Sequence, residues 1–265
     1  MATVRANGVE LWVDQAGAGD DVVLISGLAD EGVCWVDQVA GLRDRYRVTT
    51  FDNRGVGRSA TPPGEYRIAD FAADTAELMD ALGIGRAHVV GSSMGGAIAQ
   101  ELALARPELV RSLVLNGTWC RGDRFLHEVF RNWIWAAQKA DGIRDFLVAV
   151  NLWCFAPRIW NDGTMDGWLD AAEASPHQQS VDAFSRSAEA LIRHDSADRL
   201  GAISAPTLVT VGELDLVLPE RFSRAIAERI AGARLIVVPA AGHQPFQEFP
   251  QDYNAILAEF WDPVG

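Results

Sequence analysis

Short, continuous apolar runs alternate with longer helical patterns along most of this chain. The run VVLIS (22–26) shows no alternation of polar and apolar residues, which is typical of a strand buried on both faces. The segment IADFAADTAELMDAL (68–82) instead has apolar residues at i, i+3, i+4 and i+7, which predicts a helix. Runs of both kinds follow one another up to residue 116 and again after residue 200. This alternation predicts an α/β fold, a mostly parallel sheet with helices on both faces.

The same periodicities give the order of the elements. Residues 8–14 alternate between apolar and polar side chains and are predicted to pair with residues 2–6 as a hairpin. The remaining strands are predicted at 22–26, 46–52, 87–92, 109–116, 205–212 and 233–239. The helices are predicted at 33–42, 68–82, 94–105, 219–230 and 250–261.

The stretch from residue 118 to residue 200 interrupts the alternation, because it has helical patterns and no clear strand. It carries six of the nine tryptophans of the chain. We therefore divide the chain into a core (1–117 and 201–265) and a helical, tryptophan-rich lid (118–200) inserted into it. Its aromatic rings could simply pack the lid, but a small insertion cannot easily bury so many rings alone, so a few are expected to face a pocket. The candidates for substrate contact are Trp119, His127, Trp133, Trp153 and Phe155.

The net charge of −13 excludes some classes of partner. Such a surface repels phosphate backbones and anionic lipid, so neither nucleic acid nor a membrane is expected to bind. Three widely spaced cysteines, Cys34, Cys120 and Cys154, argue against a metal site or a disulfide framework. Residues 1–13 lack the apolar region of a signal peptide, so the expected location is the cytoplasm. We expect a monomer or homodimer that acts on a small molecule.

The stretch GSSMG (91–95) fits the pattern G-x-S-x-G at a point where a predicted strand ends and a predicted helix begins. In that context the central serine, Ser93, lies in a sharp, strained turn that projects its hydroxyl above the sheet. The glycines are needed because neighbouring backbone crowds the turn. Ser93 is therefore the predicted nucleophile, and Ser92 has no assigned chemistry.

A serine hydroxyl needs a base to become a nucleophile, and in this architecture the chain order is serine, acid, histidine. His243 follows the last predicted strand in a turn, at the edge of the sheet that faces the serine turn. It is the predicted base. His177 and His194 fall within or at the end of the lid and are expected at the surface or in a pocket wall. His88 lies within a strand and is expected to be a core histidine.

The acid that orients the histidine is sought in GELDLVLP (212–219), which follows a predicted strand. Both Glu213 and Asp215 have the required charge. Asp215 is the predicted acid, because the later residues of this turn point toward the crevice, whereas Glu213 directly after the strand is expected to form a salt bridge or contact solvent. Asp123, beyond the strand 109–116, is a more distant alternative.

An oxyanion hole completes the predicted site. Each backbone N–H that stabilises a tetrahedral intermediate contributes roughly 3 kcal/mol to catalysis. One predicted donor is the amide of Met94, the first residue of the helix after Ser93, where the helix dipole adds to the effect. The other is the amide of Leu28, in the loop after the strand 22–26.

Five stretches together resemble the α/β-hydrolase superfamily in order and spacing, over essentially the whole chain. They are SGL (26–28), DNRGVGRS (52–59), GSSMGG (91–96), GELDLVLP (212–219) and GHQPFQEFP (242–250). Within the superfamily, the opening VVLISGLADEGVCWVDQV is similar to that of the aminoacrylate hydrolases and the 3-oxoadipate enol-lactonases. The resemblance implies the α/β-hydrolase fold with a helical lid, and activity on small esters, enol-lactones or carbamates without a cofactor.

Two departures from the family pattern affect what the resemblance implies. Most relatives carry His-Gly before the oxyanion residue, whereas Ser26 stands in the histidine position here. The turn 52–59 matches the family, and the resemblance gives it a scaffolding role, tied by Arg54. The second departure concerns relatives that bind small carboxylates. They often supply an arginine from the lid or a loop, whereas the tryptophan-rich lid of this chain favours a bulkier apolar substrate. The arginines available for such a role are Arg121, Arg124, Arg131 and Arg158.

The predicted activity is therefore that of a cofactor-independent serine hydrolase, which cleaves a carboxylic ester or lactone of a fairly apolar small molecule through an acyl-enzyme. A serine at position 93, where dehalogenases and epoxide hydrolases have an aspartate, argues against those two activities. Carbon–carbon bond hydrolysis of β-diketone type and perhydrolysis use the same triad and remain alternatives. A further alternative is a non-hydrolytic ligand-binding or biosynthetic protein that has kept the triad.

Overall fold

The computed structural model describes residues 1–262. Its strands are β1 (Ala2–Ala6), β2 (Val9–Ala16), β3 (Asp20–Ile25), β4 (Tyr46–Phe51), β5 (Ala87–Ser92), β6 (Val110–Asn116), β7 (Thr207–Gly212) and β8 (Arg234–Val238). They form an eight-stranded sheet in the order β1-β2-β4-β3-β5-β6-β7-β8. The pairs β1–β2 and β2–β4 are antiparallel, and the remaining pairs are parallel. This is the mostly parallel architecture that the sequence predicts.

Helices cover both faces of the sheet. They are α1 (Val36–Leu42), α2 (Ile68–Ala81), α3 (Met94–Ala105), α4 (Arg124–Lys139), α5 (Ile143–Cys154), α6 (Pro157–Asn161), α7 (Thr164–Ala174), α8 (Val181–Arg193), α9 (Glu220–Ala227), α10 (Pro245–Glu248) and α11 (Pro250–Trp261). Short 3-10 helices cover Gly32–Trp35, Pro107–Leu109 and Leu200–Ala202. In the part of the chain described, the helices are all too short or too polar to cross a membrane.

Alternate residues of the central strands bury their side chains on opposite faces of the sheet. In β3, Val23 packs in the cluster that includes α2 and α3, whereas Leu24 packs in the cluster with Trp35 and the α11 residue Leu257. All four side chains are at most 1% exposed. A strand buried on both faces has no place for polar side chains, which explains the unbroken apolar run in the sequence. Each such side chain contributes about 1.5–3 kcal/mol to folding.

We refer to residues 118–200 as the helical segment. It contains α4 to α8, starts after β6 and ends before β7. Its two ends are held together near the sheet, where Arg121 forms an isolated bridge and a 2.7 Å ion pair with Asp195. The amide of Ser196 also donates to the carbonyl of Cys120 at 2.8 Å. Both connections to the core therefore leave from one place.

The strand register brings the carboxyl ends of the central strands to one edge of the sheet. Ser92 of β5 is paired with Asn116 of β6, which in turn is paired with Thr210 of β7. Gly212 at the end of β7 is paired with Val238 of β8. The loops after these strands must therefore meet above this edge, and they contain the residues that the sequence predicts to be catalytic.

Candidate active site

Ser93 lies at the junction of β5 and α3 with φ +55° and ψ −116°. An L-amino acid rarely adopts this conformation, so the turn carries strain that the surrounding structure must offset. A Cβ atom on Gly91 would meet the backbone of Gly95, and one on Gly95 would meet the carbonyl of Ile25. The two glycines of the G-x-S-x-G pattern are therefore required by the close approach of α3 to β3 and β5.

The two neighbouring serines differ in their surroundings. The Ser92 side chain is 2% exposed, and its Oγ accepts a hydrogen bond from Nδ2 of Asn116 at 3.0 Å. Ser93 is partly exposed. Its amide donates to the carbonyl of Asn116 at 2.9 Å. Ser92 is thus fixed within the core, whereas the hydroxyl of the partly exposed Ser93 forms no hydrogen bond within residues 1–262.

Asp215 and His243 form a buried pair. Oδ2 of Asp215 lies 2.7 Å from Nδ1 of His243, and Oδ1 accepts hydrogen bonds from the amides of Val217 (2.9 Å) and Leu218 (2.8 Å). The two side chains are 0% and 3% exposed respectively. With three hydrogen bonds fixing the carboxylate, the imidazole has one orientation, and Nε2 is the ring nitrogen left for another partner.

The charges around His243 favour its protonated form. Burial opposes protonation, but the Asp215 carboxylate and the negative charges of Asp30 and Glu248 outweigh it and raise the pKa of His243 above its usual value. A stronger base accepts a proton from a serine hydroxyl more readily.

The alternative acids lie elsewhere. Oε2 of Glu213 accepts a hydrogen bond from the amide of Ala240 at 2.9 Å, so this carboxylate braces the loop that follows β8. Asp123 caps the N-terminus of α4 through the amide of Leu126 and pairs with Arg221. In the described chain, Asp215 is the one of the three that contacts a histidine ring nitrogen.

Asn116 joins the two halves of the site, although its role was not predicted from the sequence. Its Nδ2 donates to Oγ of Ser92 (3.0 Å) and to the carbonyl of His243 (3.3 Å), while its Oδ1 accepts from Oγ1 of Thr210 (3.0 Å). Because its backbone carbonyl also accepts from Ser93, one buried side chain fixes the serine turn and the histidine loop relative to each other. A polar residue at the end of the apolar run of β6 was the available signal.

Leu28 lies in the loop after β3, and Met94 opens α3. Within residues 1–262, neither the amide of Leu28 nor that of Met94 has a hydrogen-bond partner. Both residues flank the Ser93 turn, since a Cβ atom on Gly27 would lie 3.4 Å from Cβ of Ser93. The two free donors are available to a ligand at this point.

The loop after β3 is held from the turn that follows β4. Oδ1 of Asp52 accepts from the amide of Gly32 at 2.7 Å, and Nδ2 of Asn53 donates to the carbonyl of Ser26 at 3.2 Å. The Ser26 hydroxyl lies 3.5 Å from Sγ of Cys34. These hydrogen bonds fit the scaffolding role that the family resemblance implies for this turn, and they anchor the loop with serine in the usual histidine position.

Arg54 ties the same turn to α2. Its guanidinium forms a two-pronged ion pair with Asp74, with both N···O distances at 2.6 Å, and lies over the rings of Tyr66 and Phe71. The pair is almost completely buried. A buried charge needs such a partner, so this pair locks the turn in place.

Three further polar residues beside His243 were not singled out from the sequence. Burial raises the pKa of Asp30 to about 6, against the opposing effects of the His243 charge and of a long, 3.5 Å hydrogen bond from Gln244. Oε1 of Glu248 accepts from the amides of Gly242 (2.9 Å) and Ala156 (3.3 Å). Their roles depend on how the loops pack, which the local sequence does not reveal.

Within the described residues, no cluster of His, Cys, Asp or Glu could hold a metal ion.

The other histidines lie apart from this pair. His88 in β5 contacts Oγ of Ser112 at 2.7 Å, and burial lowers its pKa to about 4, so it is the core histidine that the sequence predicts. His194 is buried 3.7 Å from Glu101, and burial likewise lowers its pKa to about 4.

The predicted lid contacts occupy different environments. Trp119 and Trp133 are buried against Phe130, at ring distances of 5.5 Å and 5.7 Å. His127 is partly exposed beside the loop at Gly122, and Trp153 is partly buried against the apolar core. Phe155 lines a groove of about 490 Å³ together with the Asp215 turn.

A cavity of about 330 Å³ lies between the core and the helical segment. Ala29, next to Leu28, lines it on the core side, and Phe146 and Phe184 line it from α5 and α8. Gln179 also lines it, and its side-chain amide atoms are buried without a hydrogen-bond partner in residues 1–262. None of the five predicted contact residues lines this cavity. The aromatic residues that line it, Phe146 and Phe184, are other rings of the helical segment.

Comparison with known proteins is consistent with this geometry. The family profile described as the alpha/beta hydrolase fold matches residues 21–142. The protein named carbamate hydrolase RutD from Azorhizobium caulinodans is 31% identical over 264 residues, which cover 98% of each chain. The chain belongs to the α/β-hydrolase family. As an α/β hydrolase, it is a hydrolytic enzyme, as the sequence predicted.

Other relatives of this α/β hydrolase carry different names. The crystal structure of the enol-lactonase from Burkholderia xenovorans LB400 superposes with a TM-score of 0.89 at 27% identity and covers 98% of this chain and 99% of that one. The protein named non-heme bromoperoxidase BpoC from Mycobacterium tuberculosis is 32% identical over 276 residues, which cover 97% of this chain and 99% of that one. The family is therefore shared, while the named reactions differ.

Proposed function

We propose that the protein is a cofactor-independent serine hydrolase, which cleaves a carboxylic ester or lactone of a small, fairly apolar molecule through an acyl-enzyme. The observation that carries this proposal is the buried pair of Asp215 and His243 beside the strained turn of Ser93. Asn116 holds the two loops against each other. A nucleophile, a base and an orienting acid in this order are what acyl transfer needs.

In the proposed mechanism, Nε2 of His243 takes the proton from the Ser93 hydroxyl as Oγ attacks the substrate carbonyl carbon. Asp215 holds Nδ1–H and stabilises the imidazolium that forms. His243 then gives the proton to the leaving alkoxide oxygen as the C–O bond breaks. A water molecule activated by His243 hydrolyses the acyl-enzyme and restores the Ser93 hydroxyl.

The free amides of Leu28 and Met94 are the proposed oxyanion hole. Two donors that lack protein partners are ready to bind the negative oxygen of the tetrahedral intermediate without reorganisation. Met94 opens α3, so the positive end of the helix dipole adds to the stabilisation.

The helical segment is proposed to act as a lid. The cavity beneath it would accept the apolar part of the substrate, because Phe146, Leu147 and Phe184 are among the apolar side chains that line it. Substrate contacts by Trp119, His127, Trp133, Trp153 and Phe155 stay predictions.

Turnover of 4-nitrophenyl butyrate tests the proposal. The wild-type protein is expected to release 4-nitrophenol with saturation kinetics, and Ser93→Ala to lose at least about 10³-fold in kcat with an unchanged Tm. Equal rates for both proteins would contradict the proposed nucleophile. A parallel series of lactones would separate lactonase from esterase preference.

Perhydrolysis is a second candidate, favoured by the similarity to the protein named bromoperoxidase BpoC. In this reaction hydrogen peroxide replaces water in the attack on the acyl-enzyme and yields a peracid. Bromination of monochlorodimedone in acetate, hydrogen peroxide and bromide would reveal it, because the peracid oxidises bromide to the brominating species, and Ser93→Ala should abolish the signal. Without a signal from the wild-type protein, this candidate is lost and the ester hydrolase stands.

A further inference from the structure

Asp30 lies in the loop between β3 and α1, two residues after Leu28. A Cβ atom on Gly27 would be 2.8 Å from Oδ2 of Asp30 and 3.4 Å from Cβ of Ser93. The carboxylate and the serine therefore border the same small surface. Gln244, the neighbour of His243, contacts the same oxygen at 3.5 Å. Asp30 thus lies beside both the proposed nucleophile and the proposed base, without belonging to the triad.

This carboxylate has no ion-pair partner among the arginines, the lysine and the amino terminus of residues 1–262. The nearest positive charge is that of His243 when it is protonated. During substrate binding His243 must be neutral, so the negative charge of Asp30 is then uncompensated. A charge in a partly desolvated pocket acts strongly on any charged group that enters it.

Within residues 1–262, no arginine pairs with Asp30, and three of the four arginines considered for binding a carboxylate contact other groups. Arg121 pairs with Asp195 at 2.7 Å, Arg131 with Glu128 at 2.7 Å, and Arg158 donates to the carbonyl of Glu248 at 3.0 Å. In the part of the chain described, the titratable side chains that line the cavity are those of Glu31 and His177, and the lining includes neither arginine nor lysine. An incoming carboxylate therefore meets the carboxylate of Asp30 beside Ser93, and the described lining of the cavity offers it no guanidinium or ammonium group.

We propose that Asp30 is a specificity residue that repels carboxylate-bearing substrates, so that the enzyme acts on esters or lactones whose acyl group carries no negative charge. This inference rests on the serine-hydrolase function proposed above. Repulsion between like charges across a partly buried site should lower kcat/KM for a negatively charged substrate by about tenfold or more relative to its neutral counterpart. The site thereby selects by repulsion, in addition to the apolar fit of the cavity.

The test compares two esters with the same leaving group, 4-nitrophenyl butyrate and 4-nitrophenyl hemiglutarate. The wild-type protein is expected to prefer the neutral ester, and Asp30→Asn to reduce this preference in kcat/KM by about tenfold. The change should come mainly from faster turnover of the anionic ester. Asp37→Asn, an exposed acid on α1, is the matched control and should keep the wild-type preference.

The pH dependence of the same preference provides a second measurement. It uses the wild-type protein alone and so does not depend on whether Asp30→Asn folds. Burial raises the pKa of Asp30 to about 6, so lowering the pH through this value should neutralise it and reduce the wild-type preference. The titratable groups that face Asp30 are His243, Cys34 and Cys154. Titration of His243 affects both esters equally and cancels in the ratio, and both thiols stay neutral because burial raises their pKa values.

The outcomes separate this inference from the function on which it rests. If the wild-type protein hydrolyses the neutral ester, but its preference neither falls with pH nor changes in Asp30→Asn, the role of Asp30 is refuted and the hydrolase stands. Equal losses on both esters would make Asp30 a structural residue and also refute the inference. If the wild-type protein hydrolyses neither ester and fails to react with a phosphonate, the proposed function fails, and the inference fails with it.

Discussion

The carboxyl edge of the sheet and the helical segment treat their buried polar groups differently. At the edge, the side chains of Asp52, Asn53, Asn116 and Asp215 each have at least one hydrogen-bond partner. In the helical segment, buried polar atoms without a partner within residues 1–262 recur along the chain. They are the indole nitrogens of Trp119, Trp133 and Trp160, the side-chain amide of Gln179, Nε of Arg186, the Oγ of Ser187 and Nε2 of His194.

This difference matches what each region is proposed to do. Hydrogen bonds have narrow distance and angle requirements, so a paired network fixes loops with the accuracy that acyl transfer needs. Apolar burial has no such directional requirement, so a lid held mainly by apolar contacts can change shape around different substrates. We therefore expect changes at the edge to affect catalysis and stability strongly, and changes in the helical segment to be tolerated.

After Ser93→Ala, the largest expected effect on catalysis at the edge is that of Asp215→Asn. An asparagine cannot stabilise the imidazolium and favours the wrong tautomer of His243, so kcat should fall by about 10²–10⁴-fold. Ester turnover under saturating substrate measures the change. Glu213→Gln is the control, because that side chain contacts the amide of Ala240, and it should stay within a few-fold of the wild-type rate. A larger loss in Glu213→Gln than in Asp215→Asn would reverse the assignment.

Arg54→Met should cause the largest loss of stability. It leaves the buried Asp74 carboxylate without its ionic partner, which should lower the free energy of unfolding by about 3–5 kcal/mol. Urea denaturation measures the loss. Arg47→Met removes a more exposed pair with Asp21 and should cost less than about 1 kcal/mol. Similar losses in the two variants would mean that burial does not set the strength of these pairs.

Two deletions of a hydroxyl compare the regions directly. Thr210→Val removes a group that contacts Asn116 and Tyr253, so it should destabilise the protein by about 1–3 kcal/mol. Ser187→Ala removes a buried hydroxyl without a partner in the described chain and should stabilise it by up to about 1 kcal/mol. Thermal unfolding shows whether each substitution raises or lowers the stability of the protein. A destabilising Ser187→Ala would show that its hydroxyl is paired after all.

The smallest predicted effect is a shift in the pH profile. His243 acts as a base only when neutral, so kcat/KM for an uncharged ester should fall as the pH is lowered through the pKa of His243. Because neighbouring carboxylates raise this pKa, the midpoint should lie above 6.5, the usual value for histidine. Measurements between about pH 5 and about pH 9 locate the midpoint. A midpoint below 6.5 would mean that burial outweighs the carboxylates.

The sequence predicted the core well because its signals are local. The helix expected at 94–105 is α3, and each predicted strand of the core is present within a few residues of its expected ends. The helix expected at 33–42 is divided into a 3-10 turn and α1. The position of Ser93, rather than Ser92, in the strand-to-helix turn could be predicted because the two flanking glycines encode this turn.

The supporting residues could not be predicted because their roles arise from packing between distant segments. Asn116 joins the site only because the register of the sheet places it beside Ser92, and Asp30 only because its loop turns back against Gly27. The same reason applies to the aromatic residues of the helical segment. Helical periodicity cannot tell a ring such as Trp133, buried against Phe130, from one such as Phe146, which lines the cavity.

The central claim is that the hydroxyl of Ser93, and not that of Ser92, attacks the substrate. Incubation of the folded protein with a fluorophosphonate, followed by peptide mass spectrometry, tests it most directly. The account predicts a single covalent adduct on Ser93, which is absent from Ser93→Ala and from wild-type protein denatured beforehand. An adduct on Ser92, or no adduct on a protein that still hydrolyses esters, would contradict it.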